Sequence, residues 1–159
     1  MRIDIICVGR IKERFFTDAI DEYTKRLSRY VNLNIFEVKD EKTPENASEK
    51  EVSIILSKEA ERILKYINED AALVPLCIEG NQVTSEGFAD FFTKQENASV
   101  SHIQFIIGGS LGVSAEVRNR ADRRVSFSDL TFPHQMMRVI LLEQLYRSYR
   151  IRCGQPYHK

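Results

Sequence analysis

The order of apolar and helical patterns along this chain predicts a single α/β domain with a mostly parallel sheet flanked by helices. Short apolar runs alternate with stretches of helical spacing from one end of the 159 residues to the other. Parallel strands need crossover helices, so repeated strand–helix units imply a sheet covered on both faces. The length suits one core rather than two, so residues 1–159 read as one domain.

The elements follow in order. Ile3 to Val8 is a short apolar strand. Phe16, Ile20, Tyr23, Leu27 and Tyr30 recur at steps of four and three, one face of a helix. Val31, Leu33 and Ile35 alternate with asparagines, the period of a half-buried strand. Lys39 to Ala47 is polar, contains Pro44 and reads as a surface loop. Ser48 with Glu51 three positions on makes a capping box. The helix it opens should turn Val52, Leu56, Ile63 and Ile67 inward, with Ile55 and Ala60 beside them. Leu73 to Ile78 is a strand, Glu86 to Phe92 a short helix, Ile103 to Ile107 a strand and Arg124 to Ser128 a short strand. A last helix begins near Pro133, with Met136, Met137, Ile140, Leu141 and Leu145 expected inward.

Composition narrows the function classes. Hydrophobic residues are 43% and charged residues 29%, too apolar for disorder. No apolar run approaches the ~20 residues that span a bilayer. The opening stretch carries Asp4 among apolar residues, which reads as a strand and not a signal peptide. Cys7, Cys77 and Cys153 are far apart and in no CxxC pair, the usage of reduced cytoplasmic thiols. His102, His134 and His158 show no ligand spacing, so no metal is expected. Net charge is zero, yet residues 111–159 hold nine Lys/Arg against four acids. A polyanion should therefore meet the C-terminal third, unless that clustering is only a solvated surface.

In such folds ligands bind beyond the carboxyl ends of the strands, here the loops after Ile78, Ile107 and Ser128. The second reads Gly108-Gly109-Ser110-Leu111-Gly112. Glycines there let the backbone approach a ligand closely, although a plain tight turn gives the same pattern. The run is neither a G-x-G-x-x-G dinucleotide fingerprint nor a phosphate loop, which disfavours a dehydrogenase. Pro75 cannot donate to a ladder, so its strand is either at an edge or interrupted where something other than a strand lies alongside. Phe127 to His134 joins a strand to the last helix. Thr131 could cap that helix, or the loop's free N–H groups and aromatic rings could hold an adenine. Glu143 and Arg147 are an i, i+4 pair in the favoured order, which a solvated surface pair also explains. The last four residues are Pro156-Tyr157-His158-Lys159, unusual for a fraying tail.

Taken together, Ile107-Gly108-Gly109-Ser110-Leu111-Gly112, Leu130-Thr131-Phe132-Pro133-His134, Leu145-Tyr146-Arg147 and the terminal Pro156-Tyr157-His158 resemble the RlmH family of SPOUT-class methyltransferases. The resemblance covers essentially the whole chain, with departures at Ser110 and Gly154, where proline and asparagine are common. It implies S-adenosylmethionine-dependent methylation of N3 of a pseudouridine in 23S ribosomal RNA, on the assembled ribosome. It also implies a homodimer and a deep trefoil knot made by the C-terminal helix, with knot and cofactor site within about residues 70–159. Carried over by position, Leu76, Gly108 and the run Phe127, Ser128, Asp129, Leu130, Thr131 and Phe132 would contact the cofactor, with Gly109 shaping the loop. His158 is the first choice for the base, since an imidazole titrates near ~6.5, and His134 the second. Tyr157 would position or stack on the target base; Arg147, oriented by Glu143, would steady the developing anion. The rival readings are a non-enzymatic ribosome-binding protein using the basic C-terminal third, and a SPOUT methyltransferase with another RNA target.

Overall fold

The computed structural model describes residues 1–157. It contains β1 (Arg2–Val8), α1 (Arg14–Leu27), β2 (Asn32–Val38), α2 (Glu49–Leu64), β3 (Ala72–Gln82), α3 (Ser85–Asn97), β4 (His102–Ile107), α4 (Ala115–Asn119), β5 (Val125–Ser126) and α5 (His134–Arg152). The five strands form one sheet in the order β2-β1-β4-β3-β5, and every pairing is parallel. The expected α/β sheet flanked by helices is therefore the fold observed, with more complete parallelism than the sequence required.

Alternation along the strands sorts the core into two layers. Ile3, Ile5, Cys7, Phe105 and Ile107 face α1, α3 and α5. Ile6, Val8 and Ile106 face α2 and α4. With both faces covered, β1 is buried from Ile3 onward, which is why it reads as an unbroken apolar run. Its acidic residue is accommodated: Asp4 is buried and accepts hydrogen bonds from Arg2, Asn34 and Gln104, with the His102 ring 2.8 Å away. Burial pushes its pKa upward, but those partners outweigh it and hold the carboxyl below the usual carboxylate range.

The capping box forms as expected, with Ser48 and Glu51 satisfying each other's backbone N–H groups. The buried stripe of α2 is Ile55, Glu59, Ala60 and Ile63; Ile67 packs against the same cluster just past the helix, Val52 and Leu56 are half-buried, and a carboxylate joins the stripe. In α5, Leu141 and Leu145 are buried as expected, but Met136 is exposed and the inward position goes to Arg138. Pro75 is not at a sheet edge. β3 lies between β4 and β5, and the irregular backbone of residues 122–123 runs beside its first half, donating to the Leu73 carbonyl. The interruption reading of that proline is the correct one. β3 also continues past Ile78 to Gln82 through a register shift, in which Leu76 and Asn81 both oppose Val125.

Arg138 is the largest fully buried side chain. Its guanidinium pairs with Glu37 at the end of β2 and donates to the carbonyls of Val8 and Gly9 at the end of β1. One side chain thus fixes the first turns of α5 against the carboxyl edge of two strands. Removing it strands a carboxylate and two carbonyls and leaves a cavity. Arg138→Ala is expected to cost about 3 kcal/mol, read as a lowered urea midpoint with an unchanged slope.

Candidate active site

At the carboxyl edge of the sheet the three loops singled out above converge on one cavity of about 680 Å³. This lies within the range of ~300–1,000 Å³ that holds cofactor-sized ligands. One wall is the bulged part of β3, from Leu76 to Glu79. The bulge depends on Gly80, where a Cβ would sit 2.6 Å from the Val125 carbonyl carbon. A second wall is the turn from Gly108 to Val113. A Cβ at Gly108 would fall on the Gly112 carbonyl, so only glycine permits this backbone-on-backbone approach. A Cβ at Gly109 would lie 3.1 Å from Val8 and 3.2 Å from the buried Glu59 carboxylate. The third wall is Ser128, Leu130, Thr131 and Phe132, leading into His134 and Gln135 of α5.

That third wall is shaped by its own hydrogen bonds. Ser128 Oγ accepts from the Leu130 N–H at 3.0 Å, and Ser126 Oγ donates to the Ser128 carbonyl. Thr131 does not cap α5. The N-cap is Pro133 with no side-chain cap, so the first amide groups of a long helix are left for whatever enters the cavity. Phe127 and Asp129 do not line it. Phe127 packs edge-on against Phe88, 5.4 Å between ring centroids, because its position on the strand end faces the core. Asp129 accepts from Gln82 Nε2 at 2.6 Å. Leu76, Gly108, Gly109, Ser128, Leu130, Thr131 and Phe132 do line the cavity.

Several polar side chains in the cavity were not assigned to the cofactor site from sequence, among them Arg118 and His134. Arg118, on α4, pairs with Glu79 on the bulge; a charge pair between elements distant in sequence leaves no periodic signal. His134 faces the cavity from the first turn of α5, its Nε2 3.1 Å from where a Gly9 Cβ would be. Burial lowers its pKa, the Arg138 guanidinium lowers it further, and Asp40 and Glu13 oppose this more weakly.

Glu143, Arg147 and Tyr157 come together at another place. Arg147 Nε donates to Glu143 Oε1 at 3.0 Å, Tyr157 donates to the same oxygen at 3.2 Å, and the Tyr157 ring lies under the guanidinium 4.7 Å from its centroid. The pair is 24% and 19% exposed, partly sheltered rather than fully solvated. Burial first, then hydrogen bonds with Tyr23 and Glu143, push the Tyr157 phenol up to about 12, so it keeps its proton. About 14 Å of helix axis separates His134 from Glu143, so within one chain this cluster stands away from the cavity. His158 lies outside the described residues. Among the described residues no group of three His, Cys, Asp or Glu is placed to hold a metal, and no helix is long and apolar enough to cross a membrane.

A parallel α/β sheet whose carboxyl-edge cavity is closed by a glycine turn and an uncapped helix defines a class that binds cofactor-sized ligands there. The comparisons with known proteins specify which. The family model described as "Predicted SPOUT methyltransferase" matches residues 1–158, and the chain belongs to this family. It is 55% identical over its full length to the full-length ribosomal RNA large subunit methyltransferase H of Bifidobacterium animalis subsp. lactis (strain AD011). The identity is also 55%, again over 100% of both chains, with the protein of that name from Clostridium botulinum (strain Kyoto / Type A2). The fold resembles a solved probable methylase family protein from Haemophilus influenzae Rd KW20, with TM-score 0.55 and 14% identity, covering 99% of this chain and 70% of that one.

A proton titration checks the electrostatics of the cavity. The His134 ring resonances are expected to titrate below the ~6.5 of an unperturbed imidazole. A midpoint at or above that value would show the ring solvated or facing an acid.

Proposed function

We propose that this protein methylates N3 of a pseudouridine in 23S ribosomal RNA, using S-adenosylmethionine, as a cytoplasmic homodimer acting on the assembled ribosome. The observation that carries this reading is the cavity, in a chain of a methyltransferase family whose full-length relatives are named for ribosomal RNA. Its residues fit the cofactor. Leu76, Ile107, Leu130 and Phe132 offer apolar surface for an adenine, and Gly108 permits the tight backbone packing that shapes the turn beside it. The uncapped N–H groups of α5 suit ribose or carboxylate oxygens. When bound, the cofactor supplies an electrophilic methyl group on a sulfonium.

The chain's own residues must then handle a proton. N3–H of the target base is a weak acid, and transfer needs that proton removed and the resulting charge steadied. Holding the reacting atoms at near-attack distance contributes up to ~7–11 kcal/mol more. His158 is the proposed base, with His134 the second candidate in the same reaction. Tyr157 stays protonated and so acts as a donor or stacking platform. Arg147, held by Glu143, presents a fixed cation to the oxygens of the uracil ring.

The distance between the Tyr157 cluster and the cavity supports a site shared between two copies, in which one chain's tail completes its partner's cavity. The surface for such pairing is the face of α1 and α5, where Phe15 is 66% exposed and Phe16, Tyr23, Tyr30 and Tyr146 are only partly covered. We also read α5 as the threaded element of a trefoil knot: it packs against both α1 and α3, while the loop before it closes the cavity with the glycine turn.

Calorimetry with S-adenosylmethionine tests the reading directly. Saturable binding by the wild type and none by Gly108→Ala is expected; an absence of heat in the wild type overturns it and favours a non-enzymatic ribosome-binding protein. His158→Ala is expected to lower methyl transfer at least ~100-fold while leaving cofactor affinity within about twofold. Mixing the inactive Gly108→Ala and His158→Ala proteins should restore activity, because one mixed site keeps both intact parts. Intact ribosomes should be methylated far better than naked transcript, and equal rates would remove the ribosome from the proposal.

A further inference from the structure

Most cations of the basic C-terminal third are engaged within the folded chain. Of its nine cations, Arg118, Arg120, Arg138, Arg147 and Arg152 are each paired with an acid, namely Glu79, Glu116, Glu37, Glu143 and Glu96. Arg123 lies over the Phe91 ring, Arg124 donates to the Arg118 carbonyl and Arg150 to the Pro156 carbonyl. A polyanion gains little from cations already engaged.

The N-terminal loops at the mouth of the cavity are different. The β1–α1 loop carries Arg10 and Lys12, and the β2–α2 loop carries Lys39 and Lys42; all four are exposed, and none is in an ion pair among the described residues. Their place beside the cavity follows from three contacts. Gly9 packs against His134, which lines the cavity. The Gly9 N–H donates to the Val38 carbonyl, joining the two loops at their roots. Thr43 Oγ1 lies 2.9 Å from Ser110 Oγ on the glycine turn. The acids on these loops are Glu13, Asp40, Glu41 and Glu45. Glu41 is taken by Arg62 and Lys58, and Glu13 accepts from the Lys12 N–H. Asp40 sits beside Gly9, while Glu45 lies further out on the β2–α2 loop.

We infer that this rim, with Arg10, Lys12, Lys39 and Lys42, is where the sugar-phosphate backbone of the RNA substrate is held while its target base enters the cavity. The inference rests on the methyltransferase reading for its substrate, but not for its test. Each phosphate neutralised releases counterions, so binding through the rim must weaken as salt rises, with a slope set by the number of contacts. The carboxylates between the cations leave a discrete set of contact points instead of a uniform field, which suits register on one RNA segment better than sliding.

The test uses the full-length double variants Arg10→Ala/Lys12→Ala and Lys39→Ala/Lys42→Ala, with Lys94→Ala, an exposed cation at the far end of α3, as control. Binding to intact ribosomes and to a purified 23S rRNA fragment is measured from low to moderate salt, without cofactor. Each double variant is expected to bind both probes roughly tenfold more weakly and to lower the salt slope by about 1.5, with Lys94→Ala unchanged. S-adenosylmethionine affinity should be the same in all four proteins, which separates loss of RNA contact from collapse of the cavity. Unchanged slopes in both double variants overturn the inference. So does weaker binding to ribosomes with unchanged binding to the RNA fragment, which would assign the rim to a ribosomal protein. A wild type that binds RNA through the rim but gives no heat with S-adenosylmethionine sinks the methyltransferase reading and leaves the rim standing.

Discussion

The site depends on one guanidinium sealed beneath the first turns of the last helix. Arg138 reaches the ends of β1 and β2 together, and by doing so it holds His134 and the loop before it over the carboxyl edge of the sheet. A buried cation is costly unless its hydrogen-bonding capacity is met. Here the two terminal nitrogens are met by the Glu37 carboxylate and the Val8 and Gly9 carbonyls, while Nε has no partner among the described residues. Replacing it with an aliphatic residue would pack the same volume but would lose the directional tie between helix and strands.

Around that anchor the cavity is built by backbone more than by side chains. The Gly108 approach to Gly112, the Gly80 approach to β5 and the uncapped start of α5 all present main-chain groups. Main-chain donors held in place before a ligand arrives need little reorganisation. The β3 bulge serves the same end: two residues of β3 oppose one of β5, and the intervening segment is pushed into the cavity wall.

Charge tells a complementary story. Folding pairs three cations of the +5 segment with acids from distant segments, Glu37, Glu79 and Glu96. The N-terminal loops look unremarkable in a charge plot, yet folding sets these loops beside residues that line the cavity. Sequence-level charge counts what is present; only three-dimensional pairing says what remains available.

The sequence by itself determined the element types and the sheet's parallel character, since apolar period and crossover spacing are local properties that burial on both faces enforces. It also marked the three loops, because in a parallel α/β sheet ligands bind beyond the carboxyl ends of the strands. Tertiary structure alone decided that Phe127 belongs to the core, that Arg138 and Glu59 are interior, and that Thr131 caps nothing. It alone decided that Tyr157 joins Arg147 and Glu143 in a cluster more than two helical turns along α5 from His134. Those outcomes turn on which distant partner satisfies a buried polar group or covers a ring, and no spacing along one chain encodes that partner.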